Sequence, residues 1–244
     1  MKLHHLLRNL LLLLSLCVTV LAHAADSKED RSQWDNTFSL VGRDPVTGAV
    51  GGAVSTARLA VGNRVLSVEF GVGAVASQAN TNPMLAREAL DRMRHAATAQ
   101  EALDAALQGD DKREERQASV ISATGSQAAF TGSGPEDFKG HIIGKDVVVA
   151  GNILVGRETL EAMVATFEST LGPLADRIMA ALEAGQKAGG DRRGKVSAAI
   201  LVLNEAPSTN SYTRNIDLRV DSSTNPVGEL HILFDAYKAA FKIK

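Results

Sequence analysis

Apolar and polar residues alternate from Thr37 onward, and this alternation predicts two pairs of β-strands. Within Thr37–Arg43, Phe38 and Leu40 lie on one face and polar residues lie on the other. A turn containing Asp, Pro and Gly leads into a second strand, and a further pair of strands meets at Gly71. The second, third and fourth strands are predicted over Ala49–Thr56, Arg64–Phe70 and Gly73–Gln78.

Five amphipathic helices are predicted from capping residues and from apolar residues spaced three and four apart. Asn82 followed by Pro83 begins the first helix, and Thr98 with Glu101 forms a capping box at the second. The remaining helices begin near Leu160, Pro173 and Pro226. Strand patterns return between the helices, over Gln117–Ser122, Gln127–Thr131, Asp146–Leu154, Val196–Leu203 and Ile216–Val220.

The order of these elements favours an α+β fold over a doubly wound α/β sheet. Four strands, two helices, three strands, two helices, two strands and one helix are predicted, whereas a doubly wound sheet alternates strands with helices. Helix pairs separated by runs of strands suit two stacked antiparallel sheets with helices on their outer faces. Because no linker, repeat or change of composition interrupts residues 37–244, we predict a single domain there.

Composition narrows the class of protein without indicating its chemistry. Of the 244 residues, 45% are hydrophobic and 22% are charged, which is typical of a globular chain and excludes a disordered or polytopic membrane protein. The formal net charge of −2 provides no positive field, so nucleic acid is not expected as a partner. The single cysteine excludes a disulfide framework.

The first 24 residues have the layout of a secretory signal peptide. A basic start precedes an apolar run over Leu10–Ala22, which is too short to cross a bilayer. The run ends in Ala22-His23-Ala24, a pattern that signal peptidase cleaves. A lipoprotein signal that uses Cys17 is the weaker alternative, because Leu16 occupies a position that needs a small residue.

Signal cleavage gives a mature chain that begins near Ala25 and is periplasmic or secreted, with no membrane attachment expected. That chain has no cysteine, which excludes thiol catalysis. Residues 25–36 are polar, acidic and without periodicity, so they predict an N-terminal tail or propeptide ahead of the domain.

Neither a cofactor nor a metal ion is expected. Gly71, Gly73 and Ala76 match the spacing of a dinucleotide-binding loop, but the residues after them alternate as in a strand. No helix begins before Pro83, so the context that this motif needs is missing. The three histidines outside the predicted signal peptide are scattered rather than spaced as metal ligands.

Five stretches spread in order over residues 37–221 resemble a bacterial family called domain of unknown function 1028. They read TFSLVGRDPVTGAVGGAVST, FGVGAVASQAN, AGNILVG, AGGDRRGKVSAAILVL and DLRVD. That family is similar in fold to the N-terminal-nucleophile (Ntn) hydrolases. The resemblance therefore implies a four-layer αββα sandwich and points towards hydrolysis of amide bonds, although a fold alone does not determine function.

The resemblance places Thr37 where that superfamily has its nucleophile. There the first residue of the first strand is Thr, Ser or Cys, and its own free α-amine takes the side-chain proton. An α-amine has a pKa of about 7.7–8.0, so a neutral fraction exists at pH 7. In this chain the role requires a cut between Asn36 and Thr37, made by an N–O acyl shift or by another protease. The alternative is an ordinary β-branched residue at a strand start.

Three loop residues in the matching stretches are further candidates for the site. Asn152 follows a strand, and the resemblance favours it as an oxyanion donor over an Asn that satisfies only local backbone. Asp191 is a candidate to orient the amine, and Arg192 to bind an anionic group of the substrate. The alternative for both is a polar loop.

Polar residues on the predicted strands complete the list. Either Ser55 or Thr56, at the end of the second strand, can face Thr37 across the hairpin. Ser77 and Gln78 can line the same cleft and contact substrate. Each of them is also an ordinary strand residue, since hydroxyl side chains are common in sheets.

Two functions stay open at this point. The first is an exported hydrolase that uses Thr37 against a small amide, an acyl-amino compound or a peptide-like cell-wall fragment. The second is a ligand-binding or assembly protein that keeps the sandwich without catalysis. Proteins with stacked sandwiches often associate, which leaves a homo-oligomer open as well.

Overall fold

The computed structural model describes residues 34–206, 208 and 214–243. They belong to one compact unit that spans Trp34–Lys244. The signal peptide predicted over residues 1–24, and residues 25–33 of the predicted tail, lie outside the described residues. Within the described ranges, none of the helices combines the length and apolar character needed to span a membrane.

The described residues form ten strands and five α-helices. The strands are β1 (Thr37–Arg43), β2 (Val50–Thr56), β3 (Leu66–Glu69), β4 (Gly73–Ala79), β5 (Arg116–Ser122), β6 (Gln127–Thr131), β7 (Gly140–Gly144), β8 (Val147–Gly151), β9 (Ser197–Leu203) and β10 (Ile216–Val220). The helices are α1 (Pro83–Arg94), α2 (Ala99–Gln108), α3 (Glu158–Ser169), α4 (Leu174–Lys187) and α5 (Pro226–Phe241).

The prediction of an α+β chain is confirmed, with one strand missing from the predicted order. Both predicted caps are present, since the Asn82 side chain accepts from the Met84 amide and Thr98 forms its capping box. The missed strand is β7, which pairs only with β8 at the edge of its sheet. Its residues are half-buried or exposed, and glycines lie at both ends, so the sequence has no apolar alternation that predicts this strand.

Both sheets are antiparallel, as predicted. The larger has the strand order β10-β9-β2-β1-β8-β7, and the smaller has the order β3-β4-β5-β6. The strand β1 lies in the middle of the larger sheet, where Thr37 is opposite Thr56 of β2. In the smaller sheet, Gln78 of β4 is opposite Gln117 of β5. These two cross-strand pairs mark the ends of the strands at which the candidate site lies.

Three clusters of buried apolar residues set the order of the layers. The first joins the larger sheet to α3, α4 and α5, and it includes Phe38 and Leu40. The second joins the smaller sheet to α1 and α2. The third contains Val41 from the larger sheet with Ala74 and Ile121 from the smaller one, so it lies between the sheets. The layers therefore run helices, smaller sheet, larger sheet, helices, with both faces of each sheet covered.

Candidate active site

Thr37 is the first residue of β1, and its side chain faces the space between the two sheets. Successive side chains of a strand point to opposite faces, so Thr37 shares a face with Ser39 and Val41 while Phe38 faces the helices. Thr37 is fully buried. Its hydroxyl donates to the carbonyl oxygen of Asp35 at 3.1 Å.

The three residues before Thr37, here called the lead segment (Trp34–Asn36), are buried as well. Asp35 forms an antiparallel bridge with Ala79 at the end of β4. The Asp35 amide donates to the Ala79 carbonyl at 2.7 Å, and the Ala79 amide donates to the Asp35 carbonyl at 3.0 Å. The sequence predicts a polar tail up to residue 36, whereas these three residues are packed into the compact unit, where the backbone of Asp35 pairs with the end of β4.

The carbonyl oxygen of Asn36 belongs to the peptide bond that precedes Thr37, and it accepts two strong hydrogen bonds. Thr56 Oγ1 and Arg193 Nη2 both lie 2.7 Å from it. Thr56 comes from β2, and Arg193 comes from the connection between α4 and β9. Because the guanidinium is charged, this pair of donors is suited to stabilise negative charge that develops on the oxygen.

Asp191 orients Arg193 instead of touching Thr37. The Arg193 Nε and Nη2 atoms lie 3.0 and 2.6 Å from the two carboxylate oxygens of Asp191, which is buried. The Ala57 amide also donates to this carboxylate at 3.3 Å. The side chain of Arg192, which is predicted to bind an anionic group of the substrate, does not contact the Asn36 carbonyl. It donates to the Asp137 carbonyl at 2.7 Å and is largely exposed.

A chain of side-chain amides lines the other side of Thr37. The Ser39 hydroxyl donates to Gln78 Oε1 at 2.6 Å, and Gln78 Nε2 donates to Gln117 Oε1 at 2.7 Å. Asn152 Nδ2 donates to that same Gln117 oxygen at 2.7 Å. The Asn152 backbone amide donates to the Thr37 carbonyl at 3.0 Å. Asn152 and Gln78, both predicted for the site, therefore lie beside Thr37.

The side chain of Asn152 has hydrogen-bonding capacity beyond its contact with Gln117. An amide nitrogen carries two hydrogens, and the bond to Gln117 uses one of them. The Asn152 Oδ1 atom is buried and has no hydrogen-bond partner among the residues that the structure describes. Buried polar atoms are almost always paired, so the described residues satisfy the Asn152 amide only in part.

Ser55 and Ser77 face the helices and not Thr37, contrary to the prediction. Each lies opposite an apolar residue of a helix-facing cluster. Their neighbours Thr56 and Gln78 take the positions that face the space between the sheets, because side chains alternate along a strand. Both faces of each sheet are buried, so the pattern of hydrophobicity did not distinguish positions that face the helices from positions that face the other sheet.

The carboxylate of Asp35 is held by a residue that the sequence did not single out. Arg64 donates to it through Nε at 2.7 Å and through Nη2 at 2.5 Å. The Thr81 hydroxyl adds a third hydrogen bond at 2.9 Å. Arg64 lies in the connection between β2 and β3, and Gln117 is the second residue of β5, which reads RQASVIS and mixes polar and apolar residues. Neither position has a pattern that indicates the site.

Acidic and histidine side chains do not gather into a metal site in the part of the chain that the structure describes. Within residues 34–206, 208 and 214–243, no group of three or more His, Cys, Asp or Glu side chains is placed to hold a metal ion.

Comparison with known proteins identifies the family. Residues 37–230 match the model of a family of unknown function, DUF1028, and the chain belongs to that family. The crystal structure of protein SPO2555 from Silicibacter pomeroyi, assigned to the same family, is similar with a TM-score of 0.75 and 33% identity. That similarity covers 83% of this chain and 89% of the other.

A second solved structure is much less similar. Anbu (ancestral beta-subunit) from Yersinia bercovieri superposes with a TM-score of 0.34 and 11% identity, over 84% of this chain and 96% of that chain. A likeness at this level carries no argument about fold or activity. A search of curated proteins found no match.

Proposed function

We propose that this protein is an exported hydrolase of amide bonds that uses Thr37 as an N-terminal nucleophile, on a fold like that of the Ntn hydrolases. The observation that carries the proposal concerns the carbonyl of Asn36, the residue that precedes Thr37. Its oxygen accepts hydrogen bonds of 2.7 Å from both Thr56 and Arg193. Export rests on the signal peptide predicted over residues 1–24. The substrate class is a small amide or a peptide-like compound.

The first step of the proposal is release of the Thr37 amine. Thr37 Oγ1 attacks the Asn36 carbonyl carbon, and the oxyanion is stabilised by the Thr56 hydroxyl and the Arg193 guanidinium. The bond between this carbon and the Thr37 nitrogen then breaks, and that nitrogen takes up the hydroxyl proton. Water hydrolyses the resulting ester, which leaves a carboxylate on Asn36 and a free amine and hydroxyl on Thr37.

The second step is turnover of substrate by the same groups. The neutral α-amine of Thr37 takes the proton of its own hydroxyl as the oxygen attacks the substrate carbonyl. The carbon–nitrogen bond of the substrate then breaks, and the leaving amine takes that proton from the Thr37 ammonium. Water hydrolyses the resulting ester, which releases the acyl group as a carboxylate and restores the Thr37 hydroxyl. Thr56 and Arg193, which hold the Asn36 carbonyl oxygen, and the remaining hydrogen of Asn152 Nδ2 are the donors available for the new oxyanion. Asp191 acts through Arg193 as a positioning residue, since it binds that guanidinium through two hydrogen bonds.

The proposal is tested first on the N-terminus of the full chain after export. Intact mass and N-terminal sequencing are expected to show a chain that begins at Thr37. The Thr37→Ala variant is expected to fold and to keep residue 36 attached, because no nucleophile remains. The matched Thr37→Ser variant retains a hydroxyl and is expected to be cut.

Turnover is then measured with a panel of acyl-amide and peptide substrates. Hydrolysis by the wild type and its loss in Thr37→Ala would support the nucleophile. A wild-type chain that keeps the lead segment and hydrolyses nothing would contradict the proposal and favour the ligand-binding alternative. Undiminished hydrolysis by a folded Thr37→Ala protein would rule out Thr37 as the nucleophile.

A further inference from the structure

We propose that Arg64 and Thr81 form a carboxylate-binding subsite on the acyl side of Thr37. The subsite selects peptide-like substrates that carry an acidic side chain on the residue before the one whose carbonyl is attacked. This inference deepens the proposed function and rests on it for the identity of the acyl side. In the chain itself, the lead segment occupies the subsite through Asp35.

The contacts of Asp35 have the form of a built carboxylate site. Its side chain is 3% exposed, and both of its oxygens are bound by the Arg64 guanidinium, at 2.7 and 2.5 Å. The Thr81 hydroxyl reaches one of these oxygens at 2.9 Å. A planar guanidinium that meets both carboxylate oxygens is the most specific way in which a protein recognises this group.

Arg64 is oriented by the protein independently of Asp35. Its Nη1 donates to the Ala60 carbonyl at 2.9 Å and to Asn63 Oδ1 at 3.0 Å. Its Nη2 donates to the Leu59 carbonyl at 3.0 Å. The connection between β2 and β3 therefore holds the guanidinium in place when the carboxylate leaves, so the subsite stays organised for a second anion.

The backbone of the lead segment shows that the subsite takes an extended peptide. Asp35 and Ala79 exchange both of their backbone hydrogen bonds, so the segment adds one residue of strand to the end of β4. Main-chain pairing of this kind accepts any extended peptide, and the side-chain pockets supply the selectivity. At this position the selective contact is the Arg64 guanidinium.

The chemistry of the proposed cleavage links this segment to substrate. The N–O acyl shift joins the Asn36 carbonyl carbon to Thr37 Oγ1, with Asp35 one residue upstream. During turnover, the acyl group of a substrate is joined to that same oxygen. The groups that hold the lead segment are therefore those that meet the acyl part of a substrate. Once the segment leaves, Arg64 is a partly buried cation without its carboxylate partner, and an acidic substrate restores the pair.

Amide hydrogen exchange tests the subsite without requiring any activity. The full chain is prepared with Thr37→Ala, which keeps the lead segment attached, and Asp35→Asn or Arg64→Gln is added. We expect the Ala79 amide to exchange about tenfold faster or more in both double variants, since a charge-assisted pair is lost. Arg92→Gln is the matched control, because Arg92 forms an exposed ion pair with Glu88 on α1. Exchange that equals the control would count against the subsite.

Peptide hydrolysis by the processed wild type tests the selectivity itself. The probes are the aminomethylcoumarin amides of acetyl-Trp-Asp-Asn and acetyl-Trp-Asn-Asn. We expect kcat/KM to be about 10–100-fold higher for the acidic probe, from hydrogen bonds to a charged group. Arg64→Gln is expected to bring the ratio towards 1, and Arg92→Gln is expected to leave it unchanged.

The outcomes separate this inference from the proposed function. If both probes are hydrolysed equally well, the inference is wrong and the hydrolase proposal stands. If the wild type keeps the lead segment and hydrolyses neither these probes nor the acyl-amide and peptide panel, while exchange rises in both double variants, the hydrolase proposal is wrong and a binding site for acidic extended peptides remains. If nothing is hydrolysed, the lead segment stays attached and exchange equals the control, both are overturned.

Discussion

The charged donor on the Asn36 carbonyl provides a quantitative test of how the chain processes itself. Arg193→Gln removes one of two hydrogen bonds to this oxygen, the one at 2.7 Å from Nη2. Loss of one preorganised donor to an oxyanion slows a reaction by about 10²–10³-fold, which is about 2.7–4 kcal/mol of barrier. We therefore expect cleavage between Asn36 and Thr37 to slow by that factor.

Stability has to be separated from cleavage in this test, because Arg193 is paired with the buried carboxylate of Asp191. Removing one partner of a buried ion pair costs about 3–5 kcal/mol of folding free energy. Two companion variants avoid this cost. Asp191→Asn combined with Arg193→Gln removes both charges together, and Thr56→Val removes the neutral donor at 2.7 Å without touching the pair.

The assay follows the full chain from its synthesis in a cell-free reaction, by intact mass at intervals, with thermal unfolding measured in parallel. Arg192→Gln is the matched control, since the Arg192 side chain binds Asp137 and Glu136 instead of Asn36. We expect wild-type cleavage in this control and slow cleavage in the other variants. Folded Arg193→Gln and Thr56→Val proteins that are cut at the wild-type rate would refute the role assigned to these donors.

Two further predictions concern stability. The hydrogen bond from Arg116 lowers the pKa of Asp110 from 3.8 to about 2. The ionised Asp110 therefore adds about 2 kcal/mol to the free energy of unfolding above pH 3.8, and this contribution is lost as the pH falls through about 2. In urea titrations, the stability difference between wild type and Asp110→Asn is expected to shrink by about half between pH 7 and pH 3, and a constant difference would contradict this. Gly51→Ala places a Cβ 2.5 Å from the Leu201 carbonyl oxygen and is expected to lower the free energy of unfolding by about 1–3 kcal/mol or more. Gly109→Ala is the control, because its added Cβ meets nothing within 4 Å. Equal melting temperatures of these two variants would refute the packing argument.

Most of the fold could be predicted from local patterns. Alternation along Thr37–Arg43 gave a strand with the same bounds as β1, and the caps at Asn82 and Thr98 begin the helices that they predict. These signals are local because a cap or an alternating segment depends only on near neighbours along the chain. The edge strand β7 was not predicted, because exposed residues at the edge of a sheet need no apolar alternation.

The site could be predicted only in part. Thr37, Asn152 and Gln78 lie together. The Asp191 carboxylate reaches this group only through Arg193, which it binds and which donates to the Asn36 carbonyl. The choices between adjacent residues could not be made from the sequence. In a sheet that is covered on both sides, a strand has no solvent-facing side, so neighbouring positions look equally buried.

The sequence alone determined the α+β class, the positions of most strands and helices, the family resemblance and Thr37 as the residue to test. Tertiary structure alone decided which polar side chains bind the peptide bond between Asn36 and Thr37, because those contacts join residues far apart along the chain. It selected Thr56 over Ser55 and Arg193 over Arg192, since alternation of side chains and the path of one loop set the direction of each. Tertiary structure also determined that the lead segment, which the sequence predicts as part of a polar tail, is buried. Asp35 can bind Arg64 and Ala79 only when both sheets are assembled.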